Sequence, residues 1–366
     1  MGTYDNKSDD LNKVLRRTPS GDDRQSLSDA LMGINIFDAK LPPPREKYGP
    51  VYVFFTRPQL NLTKMNISRD RRFSTLMTES DNTIHAYVRQ LLDPRLHAQA
   101  EGKENYEEVP LVDGNAKKGE DYVNNPLLNN ELPFISIFTN CFKSISGFPD
   151  QVLDTWVSSK GMRKDEWGYG EGETRVFYNF DLTVTFESVQ EGAIELINDF
   201  WLDYISNIGK GVFVPYNDMR IRRETDYDTG IYVMVMAENG RNIKHIAKTI
   251  GIPITNNKGK LFDVTKGQSK NTDTGEYAMR FKCFGAEYDD PILLKEFNDV
   301  IGMFNTDIRS MMYLGTPTDY VEVPNSLLPT VGNRAIPFID LRYNTLEWLI
   351  HKDKLKYIKN ETEETT

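Results

Sequence analysis

Four histidines, two cysteines and two close acidic pairs are the residues of this 366-residue chain whose types could support metal or covalent chemistry. His85, His97, His245 and His351 do not stand at metal-ligand spacing from one another, and neither Cys-x-x-Cys nor His-Glu-x-x-His occurs. A metal site would need distant residues to converge, and none is expected. Cys141 and Cys283 are too few for a disulfide framework, which points to a reduced cytoplasmic origin. Gly168-x-Gly170-x-Gly172 has the look of a phosphate-cradling loop, but such a loop follows a strand and opens a helix. Here the glycines precede a strand, so the stretch reads as a turn or hairpin tip and no cofactor is expected. Asp226/Asp228 and Asp289/Asp290 could furnish paired carboxylates for hydrolysis. Turn chemistry explains the first pair, in Asp226-Tyr227-Asp228-Thr229-Gly230, and helix capping explains Asp290 before Pro291. With no Gly-x-Ser-x-Gly elbow and no Walker loop, no catalytic residue is expected. A soluble carboxylate-dependent hydrolase stays as the enzyme alternative, and it requires a deep pocket lined by two carboxylates.

Other residue types suit contact with another protein. Arg69, Arg71 and Arg72 form one basic cluster, joined more distantly by Arg57; Arg220, Arg222 and Arg223 form a second around Ile221. Each cluster reads either as an ion-pairing contact to an acidic neighbour or as a solvated loop. Trp156 and Trp167 fall in or near a predicted long hairpin, where an exposed aromatic would anchor an interface, whereas Trp201 is placed in the core.

The bulk numbers fit that reading. A net charge of -10 disfavours a protein whose task is to grip nucleic acid, because phosphates are neutralised by Lys and Arg. Hydrophobic content of 39% and charged content of 27% are ordinary for a globular protein, and 19 Phe with 18 Tyr suit strand-rich packing and interfaces. The first 17 residues are polar, with no signal-like apolar run, and no stretch has the roughly 20 apolar residues needed to span a bilayer.

Four regions position these residues. Residues 1–48 read as an N-terminal arm ending near Pro42-Pro43-Pro44, with one short helix possible over Ser26–Leu31. Residues 49–130 hold a strand at Val51–Phe55, a helix over Asp81–Leu92 capped by Asp81 or Asn82, and a solvated connection from 101. Residues 131–310 carry the clearest pattern. Strands are expected at Phe134–Phe138, Val176–Phe186, Ile231–Met236 and Tyr277–Phe284. An amphipathic helix is expected over Gln190–Ile208, a short one over Asn242–Ile250 after a turn at Asn239-Gly240, and a third opened by Asp290-Pro291 with Leu294, Phe297, Ile301 and Phe304 buried. Residues 311–366 read as a C-terminal docking arm with a possible helix near Asn344–Ile350.

This order resembles the tube fold of contractile phage tails. The residues that carry the resemblance are Tyr178–Phe186, the helix Ile194–Ile205 with Phe200-Trp201 at its centre, Tyr232–Met236 with the Ile243–Gly251 segment, and Glu276–Phe284. The resemblance implies an α+β fold, an antiparallel β-barrel or sandwich with flanking amphipathic helices, here with extended N- and C-terminal arms. It further implies a non-enzymatic virion protein assembled in the host cytoplasm. Copies would form a ring, six in that family, contacting neighbouring tail-tube and baseplate proteins, with DNA passing through the lumen without specific binding and no membrane involved. Shaft subunits of that family resemble the middle region alone, so the added ends suggest a baseplate-tube initiator; a shaft or neck/tail-completion protein is the alternative.

Overall fold

Apolar residues spaced by two build one antiparallel sheet that carries most of the core. The computed structural model describes residues 48–77, 80–98, 123–172, 175–188, 192–256, 258–261, 275–314, 319–324, 327–331 and 334–356. The expected Ser26–Leu31 helix and nearly all of the N-terminal arm lie outside the described residues. The strands are β1 (Tyr48–Phe55), β2 (Phe142–Ser146), β3 (Asp154–Val157), β4 (Gly168–Glu171), β5 (Val176–Glu187), β6 (Thr229–Ala237), β7 (Ile243–Pro253), β8 (Glu276–Tyr288), β9 (Tyr320–Glu322), β10 (Ile336–Asp340) and β11 (Thr345–His351). The main sheet has the order β1-β6-β7-β8-β5-β2 and is nearly closed into a barrel, while β10-β11-β9 and β3-β4 form two smaller sheets.

Register shows why the long strands pair as they do. Phe180, Leu182, Val184 and Phe186 of β5 lie opposite Cys283, Phe281, Met279 and Tyr277 of β8, so every pair buries apolar surface on one face. Tyr178 leaves this alternation. A register shift between Val176 and Asn179 turns it outward, and it is exposed.

β6 reads differently, because it is buried on both faces. Ile231 and Val233 enter one apolar cluster, with Leu182, Phe281 and Trp201, whereas Tyr232, Met234 and Met236 enter a second. The hairpin joining β6 to β7 turns at Asn239-Gly240, where Gly240 has φ +68°.

Helices cover the two faces. α1 (Ile84–Leu92), α2 (Ser136–Asn140), α3 (Ala193–Gly209) and α4 (Asn217–Arg222) belong to the first side, and α5 (Pro291–Phe304) to the second. Ile194, Ile197, Phe200, Trp201 and Tyr204 of α3 join the first cluster. Leu293, Leu294, Phe297 and Ile301 of α5 join the second, together with Ile336, Ile339, Leu346 and Leu349 of the small sheet. Asp290 caps α5 by accepting from the Ile292 amide, with Pro291 in its first turn, as the sequence requires.

Several expectations are corrected. Phe134–Phe138 is no strand: Phe134 makes one bridge to Thr56 and Ser136 opens α2. Ile135 and Phe138, three apart, face the first cluster while Phe134 faces the second, a helical spacing that Phe-x-Ser-x-Phe disguises as alternation. Asn242–Ile250 is no helix but β7, whose register shift between Thr249 and Ile250 breaks the period of two and mimics a helical one. Asn344–Ile350 is likewise strand, β11, held between β10 and β9. The Asp81–Leu92 helix starts at Ile84 and is capped by Thr83, not by Asp81 or Asn82. Gly168–Gly172 is no hairpin tip but largely the returning strand β4.

Two regional readings also change. Where the sequence suggests solvated chain, Val123, Asn125 and Leu128 are buried, and Asn125 donates to the carbonyls of Asp81 and Thr83. Where it suggests an extended C-terminal arm, residues 320–351 supply the three-stranded sheet on α5. β1 from the 49–130 segment hydrogen-bonds with β6, so the two segments share a sheet. The described residues from Gly49 onward form one compact unit.

Phe297 sits where these pieces meet, its ring 4.8 Å from Phe134, 5.2 Å from Phe54 and 5.4 Å from Tyr232. Phe297→Ala is expected to destabilise the fold by roughly 3–5 kcal/mol, read as a lower urea midpoint with an unchanged denaturant slope.

Candidate assembly surface

The β3–β4 hairpin exposes apolar side chains along its length. Trp156 pairs with Tyr169 across the ladder, the rings 5.1 Å apart. Trp167 donates its amide to Ser158 Oγ at 2.9 Å and accepts from the Ser158 amide, which extends the hairpin by one rung. Trp167 is 75% exposed, Tyr169 59% and Met162 101%. Leu153 lies over Gly170, where an added Cβ would stand 2.7 Å from Leu153 Cδ2, so a side chain at 170 would displace it. A two-stranded ribbon with no buried face is marginal in water, and an apolar surface of this kind marks a contact site. Both tryptophans singled out from the sequence are thus brought together on one element. Sequence reading missed Val152, Leu153, Val157, Met162 and Tyr169 beside them; alternation over 153–157 and 167–171 around the Gly-rich stretch was the available signal.

The main sheet is covered unevenly. Its β1-β6-β7 half carries α5 and the small sheet on the second face. On the β8-β5-β2 half, the residues of that face are exposed or half-buried: Arg280, Lys282 and Phe284 of β8 beside Asp181, Thr183 and Thr185 of β5. Asp181 pairs with both Arg280 (2.9 Å) and Lys282 (2.8 Å), which hold its carboxyl below the usual range. Beyond this charged patch, Ile250 lies opposite Phe284, both exposed.

Both arginine clusters lie on the α3 side. Arg69 donates to the Val212 carbonyl and Arg72 pairs with Asp203 of α3 at 2.9 Å. Arg220 and Arg222 end α4, and Arg223 follows in the left-handed region at φ +59°. Arg71, Arg220, Arg222 and Arg223 are exposed, and none has a side-chain partner among the described residues. Arg57 does not belong with them. It is buried and donates to the carbonyls of Gln90 and Leu91, closing the C-terminus of α1.

The titratable candidates have structural work. Asp290 is the α5 cap, and Asp289 accepts from the Ile246 amide and bonds His245 Nδ1, both at 2.9 Å. Asp226 is buried and accepts from the Tyr204 hydroxyl. Asp93 accepts from the Leu62 amide (2.8 Å) and the Tyr216 hydroxyl (2.7 Å), beneath Arg95, whose guanidinium lies 4.5 Å from the Tyr216 ring centre and forks onto Asp218. Burial pushes Asp93 and Asp226 each up to about 6 despite these donors. A groove beside β1 is lined by Tyr52, Phe54, Phe134 and Trp348 with the hydroxyls of Ser136 and Thr139, and no carboxylate lines it. His85 stands edge-on to Phe200, and the side chain of His97 lies outside the described residues. Cys141 and Cys283 are free thiols, and burial raises Cys283 to about 11. Among the described residues no three His, Cys, Asp or Glu side chains could hold a metal ion together, and no helix is long and apolar enough to cross a membrane.

An exposed apolar hairpin beside a half-covered sheet, with the candidate carboxylates committed to caps and hydrogen bonds, defines a module suited to contact with other protein. Residues 2–363 match the family model described as "Putative phage tail tube protein", and the chain belongs to that family. Membership assigns it a structural tail-tube role in the virion tail, as a homo-oligomer among other tail components. No curated protein matches the chain.

Asp93 and Asp226 bind protons more tightly in the folded chain than in the unfolded one, where a carboxyl titrates near its model value of 3.8. Their contribution to stability is fully present below that value and is lost as pH rises through about 6. Asp70, Asp181 and Asp218 are held low and lose theirs only as pH falls through their depressed values. Thermal unfolding is therefore expected at a higher temperature at pH 5 than at pH 7.5. Asp226→Asn, which keeps an acceptor for Tyr204, should reduce that difference.

Proposed function

We propose that the chain forms a ring of six copies in the tube of a contractile phage tail, at or next to the baseplate, with DNA passing through the ring. The observation that carries this reading is the β3–β4 hairpin, whose Trp156, Trp167 and Tyr169 are exposed among the described residues. A partner surface would bury them. The two sheet edges support it. β1 and β2 end the strand order, and pairing between copies removes an open edge. Pro50 in β1 suits an edge strand, since it has no amide to donate. The acidic balance of -10 suits a conduit that does not hold its cargo. In this reading Trp156 and Trp167 anchor the hairpin on the next copy, Arg69, Arg71 and Arg72 with Arg220, Arg222 and Arg223 contribute charged contacts, and residues 1–48 dock on adjacent tail proteins.

One observation favours the tube shaft over the baseplate junction. The family match runs over 2–363, which supports reading the end segments as part of the family's own chain plan rather than as additions particular to one end of a tube. The number of copies per particle separates the two, a single ring against many stacked ones.

Trp156→Ala/Trp167→Ala is expected to leave the circular dichroism spectrum and melting temperature of the chain unchanged, because neither ring is buried, and to lower ring or tube formation at least tenfold in sedimentation. Rings of wild-type mass and yield from the double variant would remove the hairpin from the interface.

A further inference from the structure

Charge is divided across the main sheet. The segments 64–72 and 203–223, on the α3 side, together carry eight Lys and Arg against three carboxylates, Asp70, Asp203 and Asp218. Asp203 is taken by Arg72, Asp218 by Arg95, and Asp70 by Asn207 and the Arg72 amide. Exposed and without a side-chain partner among the described residues on this side are Arg71, Arg220, Arg222 and Arg223, with exposed Ile221 among the last three and the exposed Glu224 directly after them.

The α5 side has the opposite balance. Residues 287–307 carry Glu287, Asp289, Asp290, Glu296, Asp299 and Asp307 against the single Lys295. Three of these carboxylates converge: burial first, then the charges of Glu296, Asp299 and Glu287, raise the hydroxyl of Tyr232 beneath them. Cations on this side include Lys248, paired with Glu296, Arg309, near Tyr313, and, further along β8, Arg280 and Lys282, both committed to Asp181. His245 bonds Asp289. Ile292 and Met303 are exposed on α5, so the acidic strip also has apolar surface for Ile221 to meet.

We infer that the Arg220–Arg223 patch of one copy docks on the acidic α5 face of the next. The partner is a second copy of this chain, and the inference rests on the ring-forming reading above, to which it adds the two mating surfaces. The geometry supports a head-to-tail contact. α3 lies in the first apolar cluster, α4 is tied to the same side by Arg95–Asp218 and Tyr216–Asp93 at the end of α1, α5 lies in the second cluster, and alternate residues of β6 point to the two. The patches therefore sit on opposite sides of the sheet. Joining opposite sides gives a heterologous interface, which closes into a ring or continues as a stack. The basic side repels its own kind, so a two-fold pairing of like patches is disfavoured.

The arrangement predicts a mixing result. Arg220→Glu/Arg222→Glu/Arg223→Glu reverses one patch, and Glu287→Lys/Glu296→Lys/Asp299→Lys reverses the three converging carboxylates of the other. Each full-length variant alone brings like charges together, and its assembly should fall at least tenfold in sedimentation velocity and negative-stain images. An equimolar mixture pairs every patch with its opposite in alternating order, so assembly should return. Melting temperatures within a few degrees of wild type establish that both variants fold. If folded variants assemble as the wild type does, or the mixture fails to recover, this contact is overturned and the hairpin-based ring stands. A wild-type chain that stays monomeric at every concentration, alone and with other tail proteins, overturns the ring and this contact with it.

Discussion

β6 must be dry on both faces, and most of the architecture follows from that constraint. A strand with Ile231 and Val233 on one side and Tyr232, Met234 and Met236 on the other cannot leave either side in water. α3 and the segments around α1 cover one face. α5 and the three-stranded sheet from the C-terminal region cover the other. Burying an aliphatic or aromatic side chain contributes about 1.5–3 kcal/mol, so the second layer is an obligatory part of the fold. That is why residues 320–351 pack as core.

The cover stops halfway across. The outer residues of β5 and β2 include Thr183 and Thr185 with Asp181 and Lys143, and the two charged ones are ion-paired to β8, Asp181 with Arg280 and Lys282 and Lys143 with Glu276. A face of this kind stays wet without attracting apolar partners. The apolar surface is concentrated on the β3–β4 hairpin and, more modestly, around Phe284 and Ile250. A tube subunit needs this separation between a surface in contact with water or cargo and one that holds its neighbours, because a uniformly apolar exterior would aggregate without order.

Buried polar groups fix how the contact residues are presented. Arg95 forks onto Asp218, the second residue of α4, and Tyr216 just before that helix bonds Asp93. These charge-assisted bonds hold α4 at its start while its other end projects Arg220, Arg222 and Arg223. Asp226 and Tyr204 then secure the chain as it leaves α4 for β6. The network carries a desolvation cost, visible in the raised carboxyls of Asp93 and Asp226, and it places short loops that propensity alone would leave loose.

The sequence by itself determined the long one-faced strands, α3, the capped α5 and the buried Trp201, because each carries its period or cap within a dozen residues; it placed Trp156 and Trp167 in or near a hairpin without deciding their exposure. It did not determine β7, β11 or α2. Their apolar spacings fit a strand and a helix equally, and the choice was made by partners distant in the chain: β6 and β8 for β7, β9 and β10 for β11, the β1 carbonyl at Phe55 for the entry to α2. The sequence shows both arginine clusters but not that they share a side, nor that the carboxylates of α5 lie across the sheet from them. Such facts exist only once alternate residues of one strand have been committed to opposite faces, and that commitment is made by packing, not by any local signal.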